Sequence, residues 1–270
     1  MTDNAAQLPE SLPQAIALLQ AQQRELQALR TTNDAILRAV VHDLRAPLRH
    51  LISFAPLLED SVQQMVQALP VPSAEADDAV EFAQTMAASA GKLAAMVDGL
   101  QRLSQWSRHP VQLHPVQLQA WLPALLQALP DGLGTKVQLL VDESVPAIAL
   151  DTTLMQAALT EALRNAAIAT RANVDPQIQL RVSAPSDHLV CVAVVDNGLG
   201  ADTAIADRIG ALFLKLHPER VFEGQGMGLA IMRKLVEKIV GQLEVRTQPH
   251  QGFEVRMLFV VDGNAAAKEH

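Results

Sequence analysis

The sequence predicts two structural classes in series: a long α-helical hairpin, then an α+β domain. Three observations carry this. Apolar residues recur at three- and four-residue steps from Leu12 to Ser104, with one Pro-rich break. After His109-Pro110 the pattern changes to β-branched runs separated by amphipathic helices. The composition is rich in Ala, Leu and Gln and contains no Tyr, which favours helix.

Residues 1–11 are polar and are expected to form a disordered lead-in without a signal-peptide core. From Leu12 a heptad-like seam runs through Ile16, Leu19, Gln23, Leu26, Arg30, Asn33, Leu37, Val40, Leu44, Pro47, Leu51, Phe54, Leu58, Ser61 and Met65. Polar Gln23, Arg30 and Asn33 in that seam fix register at the expense of stability, as in a specified coiled coil. The seam predicts one helix of about fifty residues, ending near Pro70-Val71-Pro72-Ser73. Glu75, Asp77 and Asp78 suit the N-terminus of the next helix. Its seam is Ala83, Met86, Ala90, Leu93, Val97, Leu100 and Ser104. The two helices are expected to pair antiparallel. A lone hairpin leaves much of each apolar stripe wet, so a homodimer in a four-helix bundle is predicted.

The expected domains are a coiled-coil and dimerisation hairpin at 12–109, an α+β domain at 110–262 and a flexible tail at 263–270. In the second domain, Val111 to Leu118 reads as a strand and Leu118 to Leu129 as a helix, broken by Pro130-Asp131-Gly132. Lys136 to Val141 is strand-like, and Thr152 to Thr170 is an amphipathic helix with Asp151 as its N-cap. Strands are expected at Ile178–Val182 and Leu189–Val195, a loop-like stretch at 198–224, and a helix at Met227–Val240. Leu243–Thr247 and Phe253–Val260 complete the sheet.

The chain has 270 residues, a net charge of −8 and a pI near 5.4. There is no basic footprint for nucleic acid, and the acidic surface argues against membrane docking. No apolar run reaches the ~18 residues of a membrane span. Cys191 is the only cysteine, so no intrachain disulfide forms. A reducing, cytoplasmic compartment fits, and Cys191 reads as a packed small hydrophobe.

Four stretches bear chemistry. In Val41-His42-Asp43-Leu44-Arg45-Ala46-Pro47-Leu48-Arg49, His42 falls at the outermost heptad position when Leu37 is at a and Val40 at d. Such a residue is ordinarily just solvated, but Asp43 can accept its Nδ1 proton and leave Nε2 nucleophilic. Pro47 perturbs the turn that holds both. His50, on the same helix, reads as a surface residue. The second stretch is Glu161-Ala-Leu-Arg-Asn165-Ala166, where Asn165 can offer an oxygen to Mg²⁺ and Glu161 lies one turn earlier on the same face. The third is Asp196-Asn197-Gly198-Leu199-Gly200 at a strand end: Asp196 can accept from an adenine amino group, and Gly198 and Gly200 allow close backbone approach. The fourth is Gly224-Gln225-Gly226-Met227-Gly228-Leu229, whose amides and helix N-terminus favour phosphate. It is neither a dinucleotide fingerprint nor a Walker A loop, lacking the leading strand and the Lys-Ser/Thr. Taken singly, each has a bland reading: a polar helix face, a turn, a loop.

Together their order resembles sensor histidine kinases. His42-Asp43-Leu44-Arg45-Ala46-Pro47-Leu48 is similar to the phospho-acceptor box, closest to the phytochrome-like branch. The later three resemble the N, G1 and G2 boxes of the α/β-sandwich ATPase fold shared by histidine kinases, gyrase, Hsp90 and MutL. Leu212-Phe213-Leu214-Lys215-Leu216-His217 looks like the phenylalanine box, under a lid at 201–223. The resemblance implies that ATP and Mg²⁺ bind the second domain, at Asn165, Asp196, Gly198, Gly200, Gly224, Gly226, Gly228 and Leu229. Asn165, with Glu161 as a second candidate, would hold Mg²⁺. It further implies that His42 and Asp43 are catalytic, and that the phosphoryl group passes to an aspartate on a response-regulator receiver.

The match has departures. Ile168 stands where members carry Lys, with Arg164 and Arg171 as candidates to compensate. Glu161 stands where kinases have Asn and related ATPases have an acid, and Lys215 stands for Arg. Ala46 replaces the Thr or Asn of members that also dephosphorylate their partner, so phosphatase activity is not expected. The alternative reading is a weak or inactive dimeric phosphotransfer or scaffold protein of the same fold. A Ser/Thr kinase or strand-passage-type ATPase using Glu161 as a water-activating base leaves the His42 box without a purpose. The coiled coil ahead of His42 is too short for a PAS or GAF sensor. The chain therefore reads as a fragment or, given Met1 and its polar lead-in, as a cytoplasmic kinase with its sensor in trans.

Overall fold

The computed structural model describes residues 12–69, 73–202 and 226–261. Helix α1 spans Leu12–Gln67 and continues through Pro47 and Pro56. Helix α2 spans Ala74–Arg108; its N-cap Ser73 accepts a hydrogen bond from the Ala76 amide, and Glu75 and Asp77 lie in its first turn. Apart from Gly99, the buried α2 residues are Ala76, Ala83, Ala90, Val97 and Ser104, a seven-residue repeat. Their counterparts on α1 are Val41, Leu48 and Ala55, again seven apart.

The α1 contact line is therefore one residue out of phase with the seam read from the sequence. Val40, Leu44, Leu51, Phe54, Leu58 and Met65 stay exposed, as do Met86 and Leu93 on α2. Small Ala residues on α2 let the helices approach along one edge of each stripe. The larger apolar side chains are left outside. The side chains of Arg30 and Asn33 lie outside the described residues.

The second half builds on a five-stranded sheet in the order β2-β4-β5-β7-β6. Its strands are β2 (Val137–Val141), β4 (Ile178–Ser186), β5 (Leu189–Asp196), β6 (Gly241–Thr247) and β7 (Phe253–Val260). Only β2 and β4 pair parallel; the other three pairs are antiparallel. A two-stranded sheet of β1 (His114–Val116) and β3 (Ile148–Leu150) lies apart. The strand expected at 111–118 is therefore only three residues long, and β3 was not expected.

Helices α3 (Leu118–Ala128), α4 (Thr152–Ala169) and α5 (Gly228–Lys238) supply the apolar layer, with a 3-10 turn at Pro130–Lys136. Leu154, Leu159 and Leu163 on α4 and Ile231, Leu235 and Val236 on α5 are fully buried. They pack in one core with Leu180, Val192, Val194, Val255 and Met257 of the sheet. Alternation along β4, β5 and β7 sends one set of side chains to that core. Cys191, Ala193 and Leu258 form a small separate cluster.

Asp151 caps α4 as expected: its Oδ1 accepts from the Thr153 and Leu154 amides at 3.0 and 3.1 Å. Oδ2 accepts from the Gln112 amide at 2.9 Å. This joins the linker after α2 to the start of α4. Burial pushes the Asp151 carboxyl up, but the Gln112, Leu154 and Thr153 amides and the nearby His109 outweigh it, and the net direction is down.

Candidate functional site

His42 projects from α1 into solvent, its side chain 86% exposed. Val41, one residue earlier, faces α2 and packs with Leu48 and Val97, which turns residue 42 away. His42 Nδ1 lies 3.1 Å from Asp43 Oδ1. An ionised carboxylate can only accept, so Nδ1 donates, and the neutral ring keeps its lone pair on Nε2. Pro47 lacks an amide hydrogen and so leaves the Asp43 carbonyl without its usual helical partner.

Glu161, Asn165 and Gly228 meet at the junction of α4 and α5. Asn165 and Glu161 sit one turn apart on α4, both half-buried. A Cβ placed on Gly228 would stand 3.0 Å from Asn165 Nδ2 and 3.5 Å from Glu161 Oε2. The G2 turn and the N helix therefore touch, with Asn165 between them. Gly226 has φ 68°, and Met227 behind it is buried. Leu229 is half-buried against the main core. Gly224, the 212–217 box and all of the expected lid beyond residue 202 lie outside the described residues.

Asp196 ends β5, 7% exposed, and its Oδ1 accepts from the Gly198 amide at 2.8 Å. Burial pushes its carboxyl up to about 6, and hydrogen bonds from the Gly198 and Phe253 amides only partly oppose this. A buried carboxylate short of donors is suited to receive an N–H from a ligand.

The two G1 glycines answer to the protein's own backbone. A Cβ on Gly198 would come within 2.6 Å of the Ala169 carbonyl oxygen. Gly200 has φ 61°, and a Cβ there would collide with the Gln248 carbonyl. Their close approaches are to α4 and to the β6–β7 turn.

The residue set fits Mg²⁺. Asn165 and Glu161 offer hard oxygen donors beside a phosphate-type turn, and Mg²⁺ takes one or two protein oxygens together with phosphates. Among the described residues no cluster of three His, Cys, Asp or Glu side chains could form an all-protein cage.

One neighbour of this site was not legible in the sequence. Arg102 of α2 places Nη1 2.5 Å from Glu161 Oε1, across 59 residues of chain. Arg164 Nη1 lies 3.8 Å from the same oxygen, so it faces Glu161. Ile168 is half-buried and supplies no charge. Nothing local marks Arg102; its role follows from α2 docking on the second half. Leu100, Leu103 and Trp106 pack against the main core there.

Comparison with known proteins gives the same picture. Residues 150–262 match the family described as histidine kinase-, DNA gyrase B-, and HSP90-like ATPase. The chain is 26% identical to Cyanobacterial phytochrome A of Nostoc sp. over 78% of its own length and 26% of the relative's. It is 27% identical to the alginate biosynthesis sensor protein KinB of Pseudomonas aeruginosa, covering 86% of this chain and 37% of that one. The chain thus spans about a quarter of the phytochrome relatives it matches. Among solved structures, histidine kinase ThkA in complex with response regulator protein TrrA aligns with TM-score 0.57 at 13% identity, covering 90% of this chain and 67% of that one. Full-length ShkA in complex with AMPPNP aligns with TM-score 0.52 at 22% identity, over 82% and 44%. At these identities the two structures establish the fold alone. Among the described residues no helix is long and apolar enough to cross a membrane. The family match over 150–262, the similarity to sensor kinases along most of the chain and the shared hairpin-then-sheet fold support a histidine kinase catalytic core.

Proposed function

We propose that this chain is an ATP-dependent protein histidine kinase of a two-component system that phosphorylates itself on His42 and passes the group to an aspartate of a response-regulator receiver. The observation that carries this is the exposed His42 ring, its Nδ1 held by Asp43 and its Nε2 open to solvent. In this reading 12–109 is the dimerisation and phosphotransfer hairpin, and 110–262 binds ATP. Asp196 accepts from the adenine amino group. Gly198 and Gly200 shape the turn below it, and Gly224, Gly226, Gly228 and Leu229 open the phosphate side. Asn165 holds Mg²⁺, with Glu161 beside it. Bound there, Mg²⁺ would neutralise charge on the phosphates.

His42 Nε2 attacks the γ-phosphorus, the N–P bond forms, and the bond to the bridging oxygen breaks to leave ADP. Asp43 holds the Nδ1 proton and so stabilises the positive charge that develops on the ring. A receiver carboxylate oxygen then takes the phosphorus, breaking the N–P bond and freeing the imidazole. The structure of ThkA in complex with response regulator protein TrrA supports such a partner.

The exposed seam through Val40, Leu44, Leu51, Phe54, Leu58 and Met65 supports a homodimer, because α2 does not cover it. The single buried cysteine supports a reducing, cytoplasmic setting. A sensor partner in trans is one source of input.

A second reading, a dimeric phosphotransfer or scaffold protein of weak catalysis, is favoured by Ile168 alone. Incubation with γ-labelled ATP and Mg²⁺ separates the two. Acid-labile label on the parent, absent from His42→Ala and Asn165→Ala, is expected. Label persisting in His42→Ala would sink the assignment of the acceptor. No label and no ATP binding would favour the scaffold, whereas ATP binding without label would point to a missing activator or a defect at Ile168.

A further inference from the structure

The end of the hairpin reaches into the nucleotide-type site. On α2, Gly99 lies so close to Met227 that a Cβ there would come within 3.0 Å of its Cγ. Three residues on, Arg102 grips Glu161. Farther along, the Ser107 carbonyl accepts from Lys238 Nζ of α5 at 2.8 Å. Met227 directly precedes Gly228, which abuts Asn165 and Glu161. One volume therefore holds the hairpin end, the N helix and the G2 turn.

The two oxygens of Glu161 are divided. Oε1 faces Arg102 and, farther off, Arg164. Oε2 lies on the Gly228 side, 3.5 Å from where a Cβ on that glycine would stand. Glu161 is only 13% exposed, so charge on it is poorly screened by solvent. A divalent ion held on Oε2 would draw on the same negative charge as Arg102 and so compete with it for Glu161.

We propose that Arg102 is the resident counter-ion of this site. It neutralises Glu161 while no nucleotide is bound, and it gives up that carboxylate when Mg²⁺ arrives with ATP. Arg102 thereby opposes loading of the metal–nucleotide complex, and loading loosens the hold of the hairpin end on the second domain. This rests on the ATP·Mg²⁺ reading above.

The test is ATP binding by the full chain at fixed ATP across a Mg²⁺ titration, read by displacement of trinitrophenyl-ATP. Arg102→Gln is expected to lower the Mg²⁺ concentration for half-maximal binding about fivefold, the scale of one partly exposed ion pair. Arg24→Gln, an equal charge change far along α1, is expected to match the parent. Glu161→Gln should raise the midpoint, and adding Arg102→Gln to it should change nothing more, since the two act through one contact. A second readout is hydrogen exchange in residues 99–108, which should quicken with ATP plus Mg²⁺ and not with ATP plus EDTA. An unchanged or raised midpoint in a folded Arg102→Gln overturns the proposal, as does exchange insensitive to Mg²⁺ if that variant fails to fold. Absence of ATP binding by the parent at every Mg²⁺ concentration overturns the nucleotide reading, and this one with it.

Discussion

Asp196→Asn should stabilise the protein above neutral pH while it weakens ATP binding. Burial raises the carboxyl from its ordinary 3.8 to about 6. The folded chain therefore holds this proton more tightly than the unfolded chain does. The favourable contribution is complete below 3.8 and is lost as pH rises through about 6. Above that, keeping the charge buried costs about 3 kcal/mol. Asn removes the charge and keeps an oxygen for the Gly198 amide, but it brings an NH₂ group into a buried place, offsetting roughly 1 kcal/mol. The net gain is about 2 kcal/mol at pH 8, and it shrinks to zero or reverses near pH 4. Urea unfolding at pH 8, 6 and 4.5, followed by tryptophan fluorescence, reads this directly. A variant no more stable than the parent at pH 8, or one whose advantage is the same at pH 4.5, would refute the argument that desolvation governs Asp196.

Four further outcomes are expected. ATP affinity of the parent should fall as pH drops below about 6, where Asp196 takes up its proton and loses acceptor strength; calorimetric titration across pH 5–8 checks it, and a flat profile would detach Asp196 from the base. Asp151→Ala should destabilise the chain by about 2 kcal/mol, since it removes a helix cap that also holds the Gln112 amide; a melting temperature equal to the parent's would contradict it. Gly200→Ala should cost about 2 kcal/mol or more, through left-handed φ and collision with Gln248, measured by the same urea titration. Leu51→Glu, on the exposed seam of α1, should turn dimer into monomer in sedimentation while the far-ultraviolet helix signal persists; a monomeric parent would remove the bundle.

The elements were legible because their causes are local. Apolar spacing placed α1, α2, α4 and α5 within a few residues of where they stand. Asp151 was readable as a cap because a short side-chain acceptor before an apolar helix has one common use. His42 is exposed as expected, although the helix contact line runs one residue out of phase with the seam that placed it, and Asp43 was readable as its neighbour from adjacency alone. Glu161 and Asn165 were placed on one face by helical geometry.

The phase of the hairpin was not local. Periodicity shows that a stripe exists, but the packing of α2 through Val97 and Ala94 decides which edge of it is covered, so Val41 and Leu48 are buried while Val40 and Leu51 are not. β3 escaped notice because three residues, Ile148–Leu150, carry no period; only pairing with β1 makes them a strand. Asp196 could be named from its motif, but the rise in its pKa comes from burial between strands distant in sequence. The ion pair of Arg102 with Glu161 is the clearest case. Sequence fixes the charge on each and the helix each belongs to. Only the docking of α2 on the ATPase domain brings them together, because packing, unlike helix periodicity, is decided by surfaces far apart along the chain.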